Sequence, residues 1–143
     1  MQKMSKAEAY EFLATGTRTG KLATVRADGR PHVAPIWFVL DGDDLLFTTW
    51  HKSVKGKNLV RDGRIALTVD EEVAPYAFVL VEGTVEITDD DPEECQKWAT
   101  RIAARYMGED QAEAFGKRNS VPGELLVRVK VNNVVAEKEL AAW

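Results

Sequence analysis

The sequence predicts a mainly β protein in which six antiparallel strands form a small closed barrel with helices at its periphery. Three observations predict it: apolar residues alternate with a period of two over much of the chain, tight Asp-Gly turns separate these segments, and the helical patterns are few and short. A closed barrel removes the strand edges that an open sheet of this size would expose. The 143 residues suffice for one core, so we expect a single domain over residues 1–143.

A short helix is predicted near the N-terminus. Ser5 and Glu8 have the spacing of a capping box, and apolar residues then recur at helical intervals as far as Gly16. We therefore expect this helix to begin directly after Ser5.

Three antiparallel strands are predicted between residues 17 and 50. The segments KLATVRA, PHVAPIWFVL and DLLFTTW are separated by turns at residues 28–29 and 41–43, which predicts a meander. Pro31 and Pro35 indicate that the middle strand lies at an edge or carries a bulge, because proline has no N–H to donate.

The second half of the chain alternates between helices and strands. The pattern over residues 53–61 predicts a short helix across the sheet, followed by the strands RIALTVD and YAFVLVEGTVEIT, the second bending at Gly83. A longer helix is predicted to begin near Pro92, and a short one covers residues 111–118. The segment GELLVRVKVNNVVAEKEL completes the barrel as one or two strands.

Composition excludes several classes of protein. The formal net charge of −4 does not suit nucleic-acid binding, and no apolar run approaches the roughly 20 residues that cross a bilayer. We therefore expect a cytoplasmic protein without a membrane segment. One cysteine and two histidines provide neither a disulfide framework nor a multi-thiolate zinc site, so we expect no metal.

The charges are unevenly distributed. Residues 51–64 contain five Lys or Arg and one Asp, whereas residues 70–94 contain ten acidic residues and no Lys or Arg. An anion-binding site is therefore expected in the first of these stretches.

The sequence contains no recognisable catalytic motif such as GxSxG, HExxH or GxGxxG. His32 lies in a strand pattern and is expected to pack there or face solvent. His51 is expected at the surface, where it could also bind a ligand, and Cys95 is expected in the core. If the protein is an enzyme, a cofactor is expected to supply the reactive chemistry.

The segment TTWHKSVKGKN combines the features of an anion site. A strand leads into a predicted helix, whose first amides would join Ser53, Lys52 and Lys55 around a phosphate. The alternative is a solvated basic loop. Trp37 and Trp50 suit the walls of a flat ligand pocket, and packing in the core or in a dimer remains open for them.

Three motifs in order resemble one protein family. These are LATVRADGRPHVAP, the turn TTWHKSVKGKNL with RDGRIAL after it, and VEGTVEI. Over roughly residues 7 to 138 the chain resembles the FMN-binding type of split β-barrel, the flavin and deazaflavin oxidoreductases named after pyridoxamine 5′-phosphate oxidase. Within that superfamily it is most similar to the branch that uses coenzyme F420, a deazaflavin with a phospholactyl-polyglutamate tail.

The resemblance implies a homodimer that binds its cofactor in a groove between subunits. Lys55 and Ser53 would contact the phosphate, supported by Asn58 and Lys52. The residues implied to lie near the ring system are Ala34, Pro35, Ile36, Trp37, Thr48, Thr49, Trp50, and, from the same or the second subunit, Tyr76 and Ala77.

The implied activity is hydride transfer from the reduced deazaflavin to an electron-poor double bond of a planar small molecule. No catalytic residue is assigned, and either solvent or His51 could supply the proton. The alternatives are an FMN-binding oxidoreductase of the same fold and a non-catalytic F420 carrier. A surplus of cations favours the polyanionic F420 over FMN: Lys21, Lys52, Lys55, Lys57 and Arg61.

Two other activities of the superfamily are not expected. Pyridoxamine phosphate oxidases bind the substrate phosphate with Trp and Arg residues of an extended C-terminal segment, whereas this sequence stops at ELAAW. Haem-degrading relatives use an axial histidine in an added C-terminal region, and neither histidine here lies beyond residue 51.

Overall fold

The computed structural model describes all residues 1–143, as eight strands and four helices. The strands are β1 (Gln2–Lys3), β2 (Gly20–Val25), β3 (Pro31–Ile36), β4 (Val39–Asp41), β5 (Asp44–Trp50), β6 (Arg64–Glu71), β7 (Ala77–Thr88) and β8 (Glu124–Lys138). The helices are α1 (Lys6–Ala14), α2 (Val54–Arg61), α3 (Pro92–Met107) and α4 (Glu109–Arg118).

The strands form one antiparallel sheet in the order β3-β2-β6-β7-β8-β5-β4, and β1 pairs with β8. The mainly β fold is therefore confirmed, with eight strands where six were expected. Because β3 and β4 lie at opposite ends of this order, hydrogen bonds do not close the barrel, and the sheet is split between them.

The split lies within a segment that the sequence predicted as one strand. β3 ends at Ile36, and the backbone of Phe38 then pairs with side chains of α3 rather than with another strand. The Phe38 amide donates to the Tyr106 hydroxyl over 3.4 Å, and the Phe38 carbonyl accepts from the Arg105 guanidinium over 2.7 Å. The predicted meander is thus wrong, because β4 and β5 pair at the far side of the sheet, where β5 continues onto β8.

The main core fills the inside of the split barrel, where side chains such as Leu22, Phe47 and Val81 are fully buried. A second, smaller cluster lies outside the sheet beneath α3 and contains Leu46, Cys95, Trp98 and Leu126. Burial of Cys95 was expected from its position in the helix pattern and is confirmed.

The helix boundaries follow from local capping. Ser5 and Glu8 form the predicted capping box at the start of α1, with Ser5 Oγ accepting from the Glu8 amide over 3.1 Å. α3 begins at Pro92, and α4 begins at Glu109, two residues before its predicted start. None of the four helices combines the length and apolarity that a bilayer span requires.

The predicted bend of β7 at Gly83 is confirmed, since the register with β8 shifts between Glu82 and Gly83. A Cβ atom on Gly83 would lie 2.2 Å from the Lys130 carbonyl oxygen, so only glycine allows the strands to approach this closely. The closing segment is one long strand, β8.

Candidate functional site: a cleft beside the β5–α2 elbow

The β5–α2 elbow, residues 50–56, is held by a capping serine. Ser53 Oγ accepts from the Gly56 amide over 3.0 Å and lies 2.8 Å from the Trp50 carbonyl oxygen. A Cβ on Gly56 would lie 2.5 Å from that same oxygen, so glycine is needed for the turn. The Lys55 amide, in the first turn of α2, donates to no group of the chain. The elbow thus offers a cationic side chain and a free amide together.

A cleft of about 330 Å³ opens beside this elbow. Eight of the residues predicted for the site line it: Pro35, Ile36, Trp37, Thr48, Thr49, Trp50, Ser53 and Lys55. The structure therefore brings the end of β3, the end of β5 and the start of α2 to one place.

Two tryptophans give the cleft an aromatic character. Trp37 stacks on Tyr106 of α3 with ring centroids 5.3 Å apart and is tilted against Phe115 of α4. Trp50 is 41% exposed and contacts His51 edge to face. Trp37 therefore packs against the helices and also lines the cleft.

Three predicted residues lie outside the cleft. Asn58 is buried, donating from Nδ2 to Thr24 Oγ1 over 3.0 Å and accepting from Arg61 over 3.1 Å, so it fastens α2 to β2. Ala34 is half-buried on the inner side of β3. Lys52 is exposed on the turn and does not contribute to the lining.

Tyr76 and Ala77 are not brought to the cleft within one chain. Ala77 lines a different groove, formed with α1, and Tyr76 is 45% exposed with a φ of 67°. A contact between these residues and a ligand in the cleft therefore requires a second copy of the chain.

Most of the cationic side chains that were expected around the site either pair with other residues or lie outside the cleft. Lys21 pairs with Asp70 over 3.2 Å, and the guanidinium of Arg61 bonds to Asn58 and to the Val25 carbonyl. Of the five cations considered, Lys55 alone lines the cleft. The charge argument for a polyanionic cofactor therefore depends on fewer side chains than the sequence suggested.

Three lining residues were missed by the sequence analysis: Ile102 of α3, Asn119 after α4 and Glu124 of β8. They reach the site through long-range pairing, in which Glu124 lies opposite Trp50 in the β5–β8 ladder. Burial raises the pKa of the Glu124 carboxyl, and the positive charge of Lys55 partly offsets this effect. No local pattern around residue 124 indicates that placement.

The histidines lie where the sequence suggested. His51 is exposed beside the elbow, and its Nδ1 lies 3.0 Å from the Gly123 carbonyl oxygen. His32 is half-buried on β3 opposite Thr24, and its Nδ1 has no partner in the chain.

The α3–α4 pair completes one wall of the cleft and is tightly packed. A Cβ on Gly116 of α4 would lie 2.0 Å from Thr100 Oγ1 of α3, so the helices touch at that glycine. Ile102, Phe115 and Asn119 belong to this pair or follow it directly.

Comparison with known proteins agrees with this architecture. The conserved hypothetical protein Rv2991 from Mycobacterium tuberculosis is 27% identical with a TM-score of 0.84, over 98% of this chain and 89% of that one. An F420 reductase is 31% identical with a TM-score of 0.69, over 87% of this chain and 94% of that chain. A FAD-binding protein from Mesorhizobium loti, at 21% identity and a TM-score of 0.71 over 94% and 93% of the two chains, shares the fold.

A family match covers most of the chain. Residues 5–136 match the family described as pyridoxamine 5′-phosphate oxidase, which spans the split barrel from α1 to β8. The resemblance drawn from the LATVRADGRPHVAP, KSVKGKNL and VEGTVEI motifs is thereby confirmed. The chain belongs to the pyridoxamine 5′-phosphate oxidase family of split β-barrel flavin and deazaflavin oxidoreductases.

Proposed function

We propose that the protein is a coenzyme F420-dependent reductase that acts on an electron-poor double bond of a planar small molecule. The observation that carries the proposal is the cleft itself, in which Trp37 and Trp50 stand beside the cationic elbow at Lys55. The 31% identity to an F420 reductase over 87% of the chain supports the choice of cofactor.

The residues of the cleft suit a phosphorylated tricyclic ring. The Lys55 ammonium and the free Lys55 amide would hold the phosphate, while Ser53 keeps the turn in place through its bond from the Gly56 amide. Trp37 and Trp50 would flank the planar ring. When bound, the deazaflavin supplies the hydride, and the chain contributes position and a partly dry environment.

We further propose that the working unit is a homodimer with the cofactor between subunits. The outward face of β3-β2-β6-β7-β8 carries apolar side chains, among them Val33, which is 66% exposed, Ala66 and Leu80. Pro35 lies on this face and also lines the cleft, so a second copy seated there would reach the cleft.

A second subunit would also complete the site. At about 330 Å³ the cleft lies near the lower end of the roughly 300–1,000 Å³ range of ligand pockets, and it lacks a further wall. In the proposed dimer, Tyr76 of the partner subunit and Ala77 of the partner subunit would supply that wall.

Titration of the purified protein with F420 and with FMN tests the cofactor. We expect micromolar or tighter binding of F420, measured as a change in deazaflavin fluorescence, and weaker binding of FMN. Tighter binding of FMN and a yellow purified protein would favour the FMN alternative. Failure of both to bind at micromolar levels would remove the oxidoreductase proposal.

Turnover is tested separately from binding. With the reduced deazaflavin in excess over the protein, we expect the absorbance of the oxidised deazaflavin to return when quinones, enones or tetrapyrroles are added. Tight F420 binding without oxidation by any of these compounds would instead support a carrier role.

A further inference from the structure

Glu124 is an acidic side chain in a cleft whose proposed ligand is an anion. It is the first residue of β8 and lies directly opposite Trp50, so both side chains project from the same face of the sheet. Glu124 and Lys55 both line the cleft, and Glu124 also borders a neighbouring groove that contains Asp89, Asp90 and Asp91.

The charged groups around Glu124 come from every element that packs near it. The cations are Lys55 of α2 and Arg118 at the end of α4, and the imidazole of His51 lies nearby on the elbow. The neighbouring groove also contains the Cys95 thiol of α3, which stays neutral because burial raises its pKa to about 11, and the three aspartates.

None of these cations forms an ion pair with the Glu124 carboxylate. The carboxylate is half-buried, and burial raises its pKa more than the surrounding cations lower it. Glu124 is therefore a partly desolvated negative charge that shares the field of Lys55 without being bonded to it.

An anion held at Lys55 would feel this carboxylate, and the cost depends on the charge of the anion. A phosphodiester carries a single negative charge, whereas a phosphomonoester has a second pKa near about 6 and is mostly dianionic above pH 7. Repulsion between Glu124 and the phosphate held at Lys55 scales with the charge of that phosphate group, so a dianionic phosphate is disfavoured by about twice the free energy of a monoanionic one.

We propose that Glu124 is a specificity-determining residue that selects a phosphodiester over a phosphomonoester dianion at the Lys55 elbow. The inference rests on the proposed function, because it assumes that Lys55 holds the phosphate of the cofactor. It assigns to Glu124 the preference for F420, whose phosphate is a diester, over FMN, whose phosphate is a monoester.

The substitution Glu124→Gln tests the inference by removing the charge while keeping the shape of the side chain. At pH 8 we expect the variant to bind F420 about threefold more tightly and FMN about tenfold more tightly than the wild type, so the preference for F420 narrows. At pH 5.5 the phosphomonoester of FMN is mainly monoanionic. The increases in affinity for F420 and for FMN that Glu124→Gln causes should then become similar. Both dissociation constants are measured by fluorescence titration, without turnover.

Glu86→Gln is the matched control, because Glu86 is exposed on β7 and makes no salt bridge. The substitution changes the net charge by the same amount as Glu124→Gln. We expect it to alter neither dissociation constant. Glu124→Ala is the second variant, and it should narrow the preference in the same direction if thermal melting shows that it folds.

Two results would overturn the inference while leaving the proposed function intact. In the first, Glu124→Gln increases the affinities for F420 and FMN equally at pH 8. In the second, both ligands still bind the variant but neither affinity increases. Failure of both ligands to bind wild type and variants alike would instead overturn the proposed function, and the inference with it.

Discussion

The ring of Trp37 lies nearly parallel to the ring of Tyr106, with 5.3 Å between centroids and 4° between planes. The Tyr106 hydroxyl donates to the Arg18 carbonyl over 2.9 Å and accepts from the Phe38 amide. One tyrosine therefore supports the aromatic wall of the cleft and also satisfies the backbone where the barrel splits.

Replacing Trp37 with leucine should weaken both the wall and the fold. Loss of the stacked ring is expected to lower the free energy of unfolding by about 2 kcal/mol and to reduce F420 affinity. Urea denaturation and fluorescence titration measure the two effects. Trp143→Leu is the control, since Trp143 is fully exposed at the C-terminus and should change neither quantity.

Arg105 joins three segments through their carbonyl groups. Its guanidinium donates to Leu13 over 2.7 Å, Gly16 over 2.9 Å and Phe38 over 2.7 Å. Arg105→Ala is expected to lower the free energy of unfolding by about 3 kcal/mol, because it leaves partly buried acceptors unpaired. The exposed Arg101, which lies over the Trp98 ring, serves as the control; a comparable loss in Arg101→Ala would contradict the role of the three carbonyl bonds.

Lys55→Ala should weaken F420 binding by about 1.5 to 3 kcal/mol, the range for a hydrogen bond to a charged group, without unfolding the protein. Lys57→Ala should have a smaller effect that appears mainly at low salt, because Lys57 is exposed and does not line the cleft. An unchanged dissociation constant in Lys55→Ala, measured by fluorescence titration, would remove Lys55 from the site.

Cys95 should make the stability of the protein fall at alkaline pH. Burial, with a smaller effect from Glu124, raises the pKa of the thiol from 9.0 to about 11. The unfolded chain therefore loses its proton first, so the stabilisation is complete below pH 9 and is lost as the pH rises towards 11. Between pH 8 and 10, the stability advantage of the wild type over Cys95→Ala should shrink by about 1 kcal/mol in urea denaturation.

Alkylation of the Cys95 thiol provides a second, independent test of its burial. Alkylation of native Cys95 at pH 8 should be slow and should accelerate when urea unfolds the chain. Rapid modification of the native protein would show that the thiol is accessible and contradict its burial.

Val33→Glu should disrupt the proposed dimer without unfolding the chain. Val33 is 66% exposed on the outward face, so the monomer tolerates the charge whereas an apolar interface would not. Size-exclusion chromatography with light scattering measures the change in mass. Val60→Glu, at 67% exposure on α2, is the matched control and should remain dimeric. A monomeric wild type would rule out the dimer itself.

The sequence predicted well the features that depend on neighbouring residues. The capping box at Ser5 and the elbow between Trp50 and Gly56 are determined by contacts within a few positions. The split of the predicted strand at Phe38 was missed because its backbone partners, Arg105 and Tyr106, lie 67 and 68 positions away.

The site shows the same division between local and distant contacts. Lys55 and Ser53 could be located from the TTWHKSVKGKN segment, whereas Glu124 reaches the cleft only through the pairing of β5 with β8. The family resemblance implied that Asn58 supports the phosphate. The Asn58 side-chain amide bonds to Thr24 on a distant strand, a contact that spacing along the chain does not reveal.

Gly116 packs against Thr100, so α3 and α4 touch closely, while α3 is fastened to the strands through the cluster of Leu46, Cys95, Trp98 and Leu126. Asn119 follows α4 and lines the cleft without belonging to the strand ladder, so its side chain can be exchanged without disturbing the inner barrel. Such exchange offers a route by which related proteins, or an engineer, could retune which molecules enter the cleft.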